Sequence, residues 1–208
     1  MSIIIVNLAL MITHTNRYLQ AAKEKRDSNK KIDYRVNLHE FICQCYVKLN
    51  PNSYGFYMED AITKILRATK MKASDGLGDI SIAGKYYEVK TSYLTQSGDS
   101  YNITHIRPWQ NINYYLLCFI DCDNDFTPHF YVINKNIINM MKLSYMNGTP
   151  NSNMDNLNIE LRASVKIDGH NYKVITKHNL LKDTTINSLF NFINEQKKEY
   201  LNKNHIVV

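Results

Sequence analysis

Residues 75–91, DGLGDISIAGKYYEVKT, contain the pattern on which the prediction of the fold rests. From Asp79 onward the first half alternates apolar with polar or small residues, as a β-strand does. A Gly-Lys pair then offers a tight turn into a second strand. Side chains two residues apart on a strand share a face, so Tyr86, Glu88 and Lys90 are predicted to lie together. The stretch therefore predicts a β-hairpin that presents charged groups on one face.

The segments on either side of this hairpin predict a mixed α/β domain. Residues 57–69 repeat apolar side chains every three or four positions, which indicates an amphipathic helix with Glu59 at the edge of its apolar face. Tyr114 to Ile120 is an all-apolar run typical of a buried central strand. The other predicted elements are a polar helix and solvated loop at 17–35, a buried helix at 38–49, a helix start at 107–110, a strand at 130–133, a helix at 135–141, a strand at 159–165, a hairpin at 168–169 into a strand at 172–176, and a helix at 184–201.

The order of these elements predicts a mixed sheet covered on both faces, within a single domain of residues 1–208. No repeat and no Pro/Ser/Gly-rich linker divides the chain. The catalytic core is predicted at about 55–135. Recognition or dimerisation elements, including the C-terminal hairpin and helix, are predicted at about 1–50 and 142–208.

Composition narrows the class of protein. The chain has 208 residues, 44% hydrophobic and 21% charged, which excludes a fibrous or fully disordered protein. A net charge of +6 favours a polyanionic partner. The four cysteines lack zinc-knuckle spacing and the seven histidines are scattered, which argues against a zinc enzyme. The apolar segment 2–12 is too short to span a bilayer, so a cytoplasmic protein with no membrane partner is expected.

Three carboxylates and one lysine stand out as candidates for chemistry. Glu59, Asp79 and Glu88 would form a hard-oxygen site at one edge of the sheet, and such a site prefers Mg²⁺ or Mn²⁺ to zinc. A bound ion could lower the pKa of a water and neutralise charge on a phosphodiester. Lys90 would stand beside that water as an electrostatic stabiliser or proton shuttle. Taken alone, Glu88-Val89-Lys90 would be interpreted as a solvated charge pair, which is common on strands.

The same residues carry a family resemblance. Gly78-Asp79, a gap to Glu88-Val89-Lys90, and Glu59 on a preceding helix together resemble the PD-(D/E)XK nuclease superfamily, with Gly78 in the place of the motif's proline. The resemblance implies a restriction-endonuclease-like three-layer α/β/α core with a central mixed sheet. By that resemblance Asp79 and Glu88 are ligands of Mg²⁺, for which Mn²⁺ substitutes. Lys90 is then the catalytic lysine and Glu59 a helical acid that joins the metal shell.

A second element is similar to a subgroup of that superfamily. Gln110 and Tyr114 match the Gln-x-x-x-Tyr element that RecB-like members carry after the lysine strand, which makes Gln110 a further candidate. A glutamine at this position could also be simply exposed.

Candidate DNA contacts are basic or amide side chains near the predicted edge. Basic side chains bind phosphates, and Asn side chains can hydrogen-bond to adenine in the major groove. Ordinary surface lysines, a core tryptophan and a general Asn bias in the chain would explain the same residues. The candidates are Lys72, Lys85, Arg107, Trp109 and the Asn-rich loop 147–158 with Asn151 and Asn153.

The leading hypothesis is a Mg²⁺-dependent type II restriction endonuclease that cuts double-stranded DNA as a homodimer. A cognate DNA methyltransferase is then a possible partner in the host. The C-terminal helix, with Leu189, Phe190 and Ile193, either forms the dimer interface or packs on its own sheet. Three alternatives stay open: a repair or phage-type nuclease for branched or single-stranded DNA, a non-catalytic DNA-binding module, and a basic protein with no nucleic-acid role.

Overall fold

A computed structural model of the chain describes residues 31–94, 100–122, 124–138, 141–145, 161–166 and 170–204. Several predictions lie outside the described residues: the apolar segment 2–12, the polar helix that begins near residue 17, the loop 147–158 with Asn151 and Asn153, and the turn at 168–169. The described helices are α1 (Leu38–Lys48), α2 (Pro51–Leu66), α3 (Lys135–Ile138), α4 (His170–His178) and α5 (Ile186–Lys203). The described strands are β1 (Thr69–Lys70), β2 (Ile80–Ile82), β3 (Lys85–Leu94), β4 (Ser100–Ile106), β5 (Tyr114–Asp121), β6 (Thr127–Asn134), β7 (Leu143–Tyr145) and β8 (Leu161–Lys166).

Helices α1 and α2 begin at asparagine caps. The side chain of Asn37 accepts a hydrogen bond from the Glu40 N–H at 2.9 Å, and Asn50 accepts one from the Ser53 N–H at 3.0 Å. Each bond satisfies a backbone donor that lacks a partner in the first turn. Helix α2 begins at Pro51, and proline is favourable in the first turn of a helix. The segment that ends α1 therefore also starts α2.

The main sheet has five strands in the order β1-β2-β3-β5-β6. Strands β3 and β5 are parallel and the other neighbouring pairs are antiparallel, so the sheet is mixed, as predicted. The predicted hairpin of β2 and β3 is present. Its turn lies one residue before the predicted Gly84-Lys85 pair: Ala83 at φ 49° and Gly84 at φ 68° form a left-handed pair that matches the twist of the flanking strands, and Lys85 already belongs to β3. The apolar run of β5 is the buried central strand that was predicted.

A second sheet, with strand order β4-β8-β7, was not predicted. The connection between the parallel strands β3 and β5 passes through β4 of this sheet, whereas such connections usually contain a helix. The Asn102 N–H donates to Ser92 Oγ at 2.9 Å, which fixes β4 against β3. The β8 strand confirms the predicted strand at 159–165.

Both faces of the main sheet are covered, as predicted, but by different layers. Helices α1, α2 and α5 cover one face, where Phe41, Met58 and Leu189 are buried in one cluster. The second sheet and α4 cover the other face, where Phe119, Val165 and Ile175 are buried. The second face therefore carries a sheet and a helix rather than helices alone.

The structure contradicts one C-terminal prediction and decides between two alternatives for another. The predicted strand at 172–176 lies within helix α4, because Tyr172 and Ile175, three residues apart, both pack on the second cluster. In α5, Leu189 and Ile193 are only 1% and 2% exposed. They pack on the sheet of their own chain, so they are not a surface for a partner. Within the described residues, no helix combines the length and apolar character needed to cross a membrane.

Candidate active site

Asp79 and Glu88 are neighbours across the β2–β3 hairpin. The register pairs Ile80 with Tyr87. Because the strands are antiparallel, the residue before Ile80 lies beside the residue after Tyr87, and these two residues are Asp79 and Glu88. The Asp79 N–H donates to the Tyr87 carbonyl at 2.9 Å, and the Val89 N–H donates to Asp79 Oδ2 at 2.8 Å. These bonds lie on either side of Glu88 along β3. They fix the Asp79 carboxyl where the two strands begin to separate.

Gly78 makes this approach possible. Its φ is +78°, a left-handed conformation that other residues rarely adopt. A Cβ atom at this position would lie 2.6 Å from the Tyr87 carbonyl oxygen and 2.8 Å from Ile112 Cγ2. Proline, which requires a φ near −65°, cannot adopt this conformation. The glycine at the place of the motif's proline therefore has a local structural cause.

We expect Gly78→Ala to lower the free energy of unfolding by about 2 kcal/mol or more, because it combines backbone strain with a clash. Gly55→Ala is the matched control. Gly55 lies inside α2 with nothing within 4 Å of its Cβ position, so we expect a gain of about 0.5–1 kcal/mol. Urea unfolding of both variants measures this, and equal effects would contradict the role of Gly78.

Glu88 is the most enclosed acidic residue of the site. Its side chain is 2% exposed and that of Lys90 16%. Lys90 Nζ donates to Glu88 Oε1 at 2.7 Å, as the shared strand face predicts, and Gln110 Nε2 donates to Oε2 at 3.1 Å. Both carboxylate oxygens thus have a donor. The geometry holds Glu88 in one orientation within a nearly dry environment, where ionic hydrogen bonds are strong.

Gln110 reaches Glu88 from a turn rather than from the predicted helix. The backbone N–H of Asn111 donates to the Gly76 carbonyl at 2.8 Å and that of Asn113 to the Tyr86 carbonyl at 2.9 Å. These donors serve tertiary contacts and cannot build a helical ladder, which is why the prediction at 107–110 is wrong. The turn links the loop before Asp79 to the start of β3, and the Gln110 side chain is buried between them.

Glu59 is near the pair but has a partner of its own. It extends from α2, its side chain is 20% exposed, and its Oε1 lies 3.1 Å from Lys70 Nζ. Its charge contributes to raising the pKa of Asp79. Across the described ranges, no group of three or more His, Cys, Asp or Glu side chains is arranged to hold a metal ion. The structure brings Asp79 and Glu88 together, and it places Glu59 within electrostatic range.

The charged form of the Asp79 carboxyl is unfavourable in the folded protein. Burial and then the charge of Glu88 raise its pKa from 3.8 to about 7. Glu59 raises it further, while Lys90 and the Val89 N–H oppose the shift. A divalent cation would offset this repulsion, and carboxylate oxygens are the donors that Mg²⁺ prefers. The chemistry of Asp79 and Glu88 therefore fits a hard divalent ion.

The candidate DNA contacts occupy different positions. Lys72 is exposed and follows Met71, whose N–H donates to the Asp79 carbonyl at 2.8 Å. Lys85 opens β3 and, by strand alternation, lies on the face opposite to Glu88. The Arg107 guanidinium carbon lies 6.0 Å from the centre of the Trp109 ring, which is half-buried. Lys72 thus follows a residue that contacts Asp79, the Arg107–Trp109 pair precedes Gln110 in the chain, and Lys85 is not on the face of Glu88.

Two site residues were missed by the sequence analysis. Lys135, the first residue of α3, donates from Nζ to the Gln110 carbonyl. Tyr115 pairs with Glu88 in the β3–β5 register, and its buried hydroxyl has no hydrogen-bond partner among the described residues. Nothing in the sequence indicated either contact. Tyr115 belongs to an apolar run, and the position of Lys135 depends on the turn that was predicted as a helix.

No protein-family model matches the chain, and a search of curated proteins finds no match. The function is therefore inferred from the site itself and from the resemblance carried by its residues.

Proposed function

We propose that the protein is a Mg²⁺-dependent endodeoxyribonuclease with a restriction-endonuclease-like core. One observation carries the proposal: Asp79 and Glu88 are adjacent, and Lys90 Nζ is 2.7 Å from Glu88. Strand order adds support, since the carboxylates and the lysine lie on an antiparallel hairpin whose second strand is parallel to the buried β5. The net charge of +6 suits a polyanionic substrate.

In this proposal each side chain of the site has a separate role. A divalent ion on Asp79 and Glu88 would acidify a bound water and neutralise charge on the phosphate, with Mn²⁺ able to replace Mg²⁺. Gln110 and Lys90 keep the Glu88 oxygens oriented through their hydrogen bonds. The Lys90 ammonium also stabilises negative charge that develops on the phosphate oxygens. Its low exposure strengthens this effect, because water screens it little.

The finer assignment is a type II restriction endonuclease that cuts double-stranded DNA as a homodimer, with a cognate methyltransferase in the host. Since Leu189 and Ile193 are buried within the chain, the dimer would use another surface. The test is incubation with unmethylated phage DNA in Mg²⁺, Mn²⁺ or EDTA. Discrete bands that require a metal support a site-specific enzyme, whereas intact DNA in every condition would count against cleavage.

The hydrogen bond from Gln110 to Glu88 favours a second candidate, a structure-specific repair or phage-type nuclease. It connects the Gln-x-x-x-Tyr element to the proposed metal ligand. For such a nuclease we expect a smear of DNA products on the gel, or cleavage confined to branched and single-stranded substrates. Binding without any cleavage would instead indicate a non-catalytic DNA-binding module.

We expect Lys90→Met to lower kcat by about 10²- to 10⁴-fold, because it removes the cation beside the reacting phosphate. Both carboxylates remain, so the rise in Tm on adding Mg²⁺ should persist. Lys198→Met, at an exposed position of α5, is the control and should leave both values unchanged. Single-turnover cleavage and thermal unfolding measure the two effects. A Lys90→Met variant with wild-type kcat would exclude a catalytic role for this lysine.

A further inference from the structure

An aromatic ring stands exposed one helical turn from Glu59. Phe56 is 59% exposed, the highest value among the large hydrophobic residues that the structure describes. It is three residues before Glu59 in α2, and residues at this spacing are neighbours on a helix surface. One exposed ring is ordinary on a protein surface, so the significance of Phe56 depends on the charged groups around it.

Lys70 connects this ring to the candidate site. Its ammonium lies 4.8 Å from the centre of the Phe56 ring and 3.1 Å from Glu59 Oε1. The lysine side chain is 43% exposed, so its ammonium remains accessible to an anion. The ring, the ammonium and the carboxylate therefore form one continuous surface.

Two further cations flank Lys70 along the chain. Helix α2 ends at Leu66, and its C-cap residue Arg67 adopts a left-handed conformation with φ 49° that turns the chain into the edge strand β1. Strand β1 pairs Lys70 with Ile80, the residue after Asp79. Arg67 and Lys72 are both exposed. We call Phe56, Arg67, Lys70 and Lys72 the basic-aromatic strip.

We propose that the basic-aromatic strip binds an unpaired DNA strand beside the cut, with Phe56 stacking on a base and the three cations contacting phosphates. A ring on the outside of a helix can stack only on a base face that is not covered by a neighbouring base pair. Cations interleaved with an aromatic ring are the combination that binds single strands. The inference rests on the proposed function and, of its two candidates, supports the structure-specific nuclease: the substrate class is DNA that is single-stranded, branched or locally opened at the cut.

Binding without cleavage tests this inference. A labelled single-stranded oligonucleotide and the matching duplex are titrated with wild-type protein and variants in EDTA, by fluorescence anisotropy. We expect the wild type to prefer the single strand, and Phe56→Ala to weaken single-strand binding about 10-fold. Phe56→Trp should retain it. Arg67→Gln and Lys72→Gln should each reduce the slope of log Kd against log salt by about 0.7.

Two controls match these changes in exposure and chemistry. Leu180→Ala removes another exposed hydrophobic side chain, and Lys198→Gln removes an exposed lysine of α5. Both should bind as the wild type does. Unchanged affinity in Phe56→Ala, or equal losses in strip and control variants, would overturn the proposal. So would a change from dimer to monomer in Phe56→Ala with DNA binding intact, since the ring would then cover a protein interface.

The results separate this inference from the proposed function. If the wild type cleaves DNA while strip variants bind single strands normally, the strip proposal fails alone. If the wild type binds single strands through the strip but cleaves no DNA in Mg²⁺, the nuclease proposal fails and the binding surface stands. If the wild type binds no single-stranded DNA, the strip proposal fails whatever the cleavage result.

Discussion

Glu88→Gln is expected to lower kcat for DNA cleavage at least about 1,000-fold, equivalent to about 4 kcal/mol of transition-state stabilisation. The change removes one of two anionic ligands from the proposed metal site. It also removes the ion pair with Lys90, whose ammonium is only 16% exposed. Glutamine keeps the size and one acceptor oxygen, so the fold is preserved better than with alanine, which would leave the ammonium without an acceptor.

Thermal unfolding separates loss of the site from loss of the fold. Mg²⁺ bound to the native state raises Tm by mass action. We expect this rise in the wild type and not in Glu88→Gln, while the two proteins unfold at similar temperatures in EDTA. Glu40→Gln, an exposed acid in the first turn of α1, is the matched control and should keep both the Mg²⁺ effect and cleavage. A Glu88→Gln variant that keeps both would show that Glu88 is not a ligand.

Asp79→Asn is expected to change stability and activity in opposite directions. In the metal-free protein, burial and the charge of Glu88 raise the pKa of Asp79 from 3.8 to about 7. The charged carboxylate is therefore unfavourable in the native state at high pH. Asparagine carries no charge and can still accept the hydrogen bond from the Val89 N–H. We expect the variant to be more stable than the wild type at pH 8 in EDTA, and to be inactive in Mg²⁺.

The sign of the pH dependence follows from this raised pKa. Below about pH 4 Asp79 is protonated in both the folded and the unfolded state, so its ionisation does not lower the free energy of unfolding. As the pH rises through about 7, the free energy of unfolding falls by at most about 4 kcal/mol, because the charged carboxylate is less favourable in the folded state. The Tm difference between variant and wild type should thus be near zero at pH 4 and largest at pH 8. Added Mg²⁺ should reverse the order at pH 8, whereas a constant difference across pH would contradict the electrostatic explanation.

The hairpin could be predicted because its signals are local. Alternation, a Gly-containing turn and charged residues two apart are enough to place Glu88 and Lys90 on one face of β3. The buried β5 and the helix α1 likewise follow from apolar patterns within a short window. The adjacency of Asp79 and Glu88 then follows from hairpin register, which a short turn determines.

The unpredicted parts depend on contacts distant in sequence. Strand β4 has a mixed, polar sequence and becomes a strand by pairing with β8, about sixty residues later. Gln110 belongs to a turn whose donors bond to Gly76 and Tyr86, and no local pattern encodes these partners. In α4, the Asp168-Gly169 hairpin signal suggested a strand at 172–176, but packing of Ile175 against the second cluster favoured a helix. Tertiary contacts override local propensity in each case.

Cleavage of DNA by wild type and Glu88→Gln, prepared identically, tests most directly whether Asp79 and Glu88 form a hydrolytic metal site. Single-turnover reactions contain duplex and single-stranded DNA, with Mg²⁺ or EDTA, and are resolved on denaturing gels. The expected result is cleavage by the wild type in Mg²⁺ alone, and none by Glu88→Gln. Products that form in EDTA, equal rates for the two proteins, or intact DNA with wild type and Mg²⁺ on both substrates would contradict the proposed site.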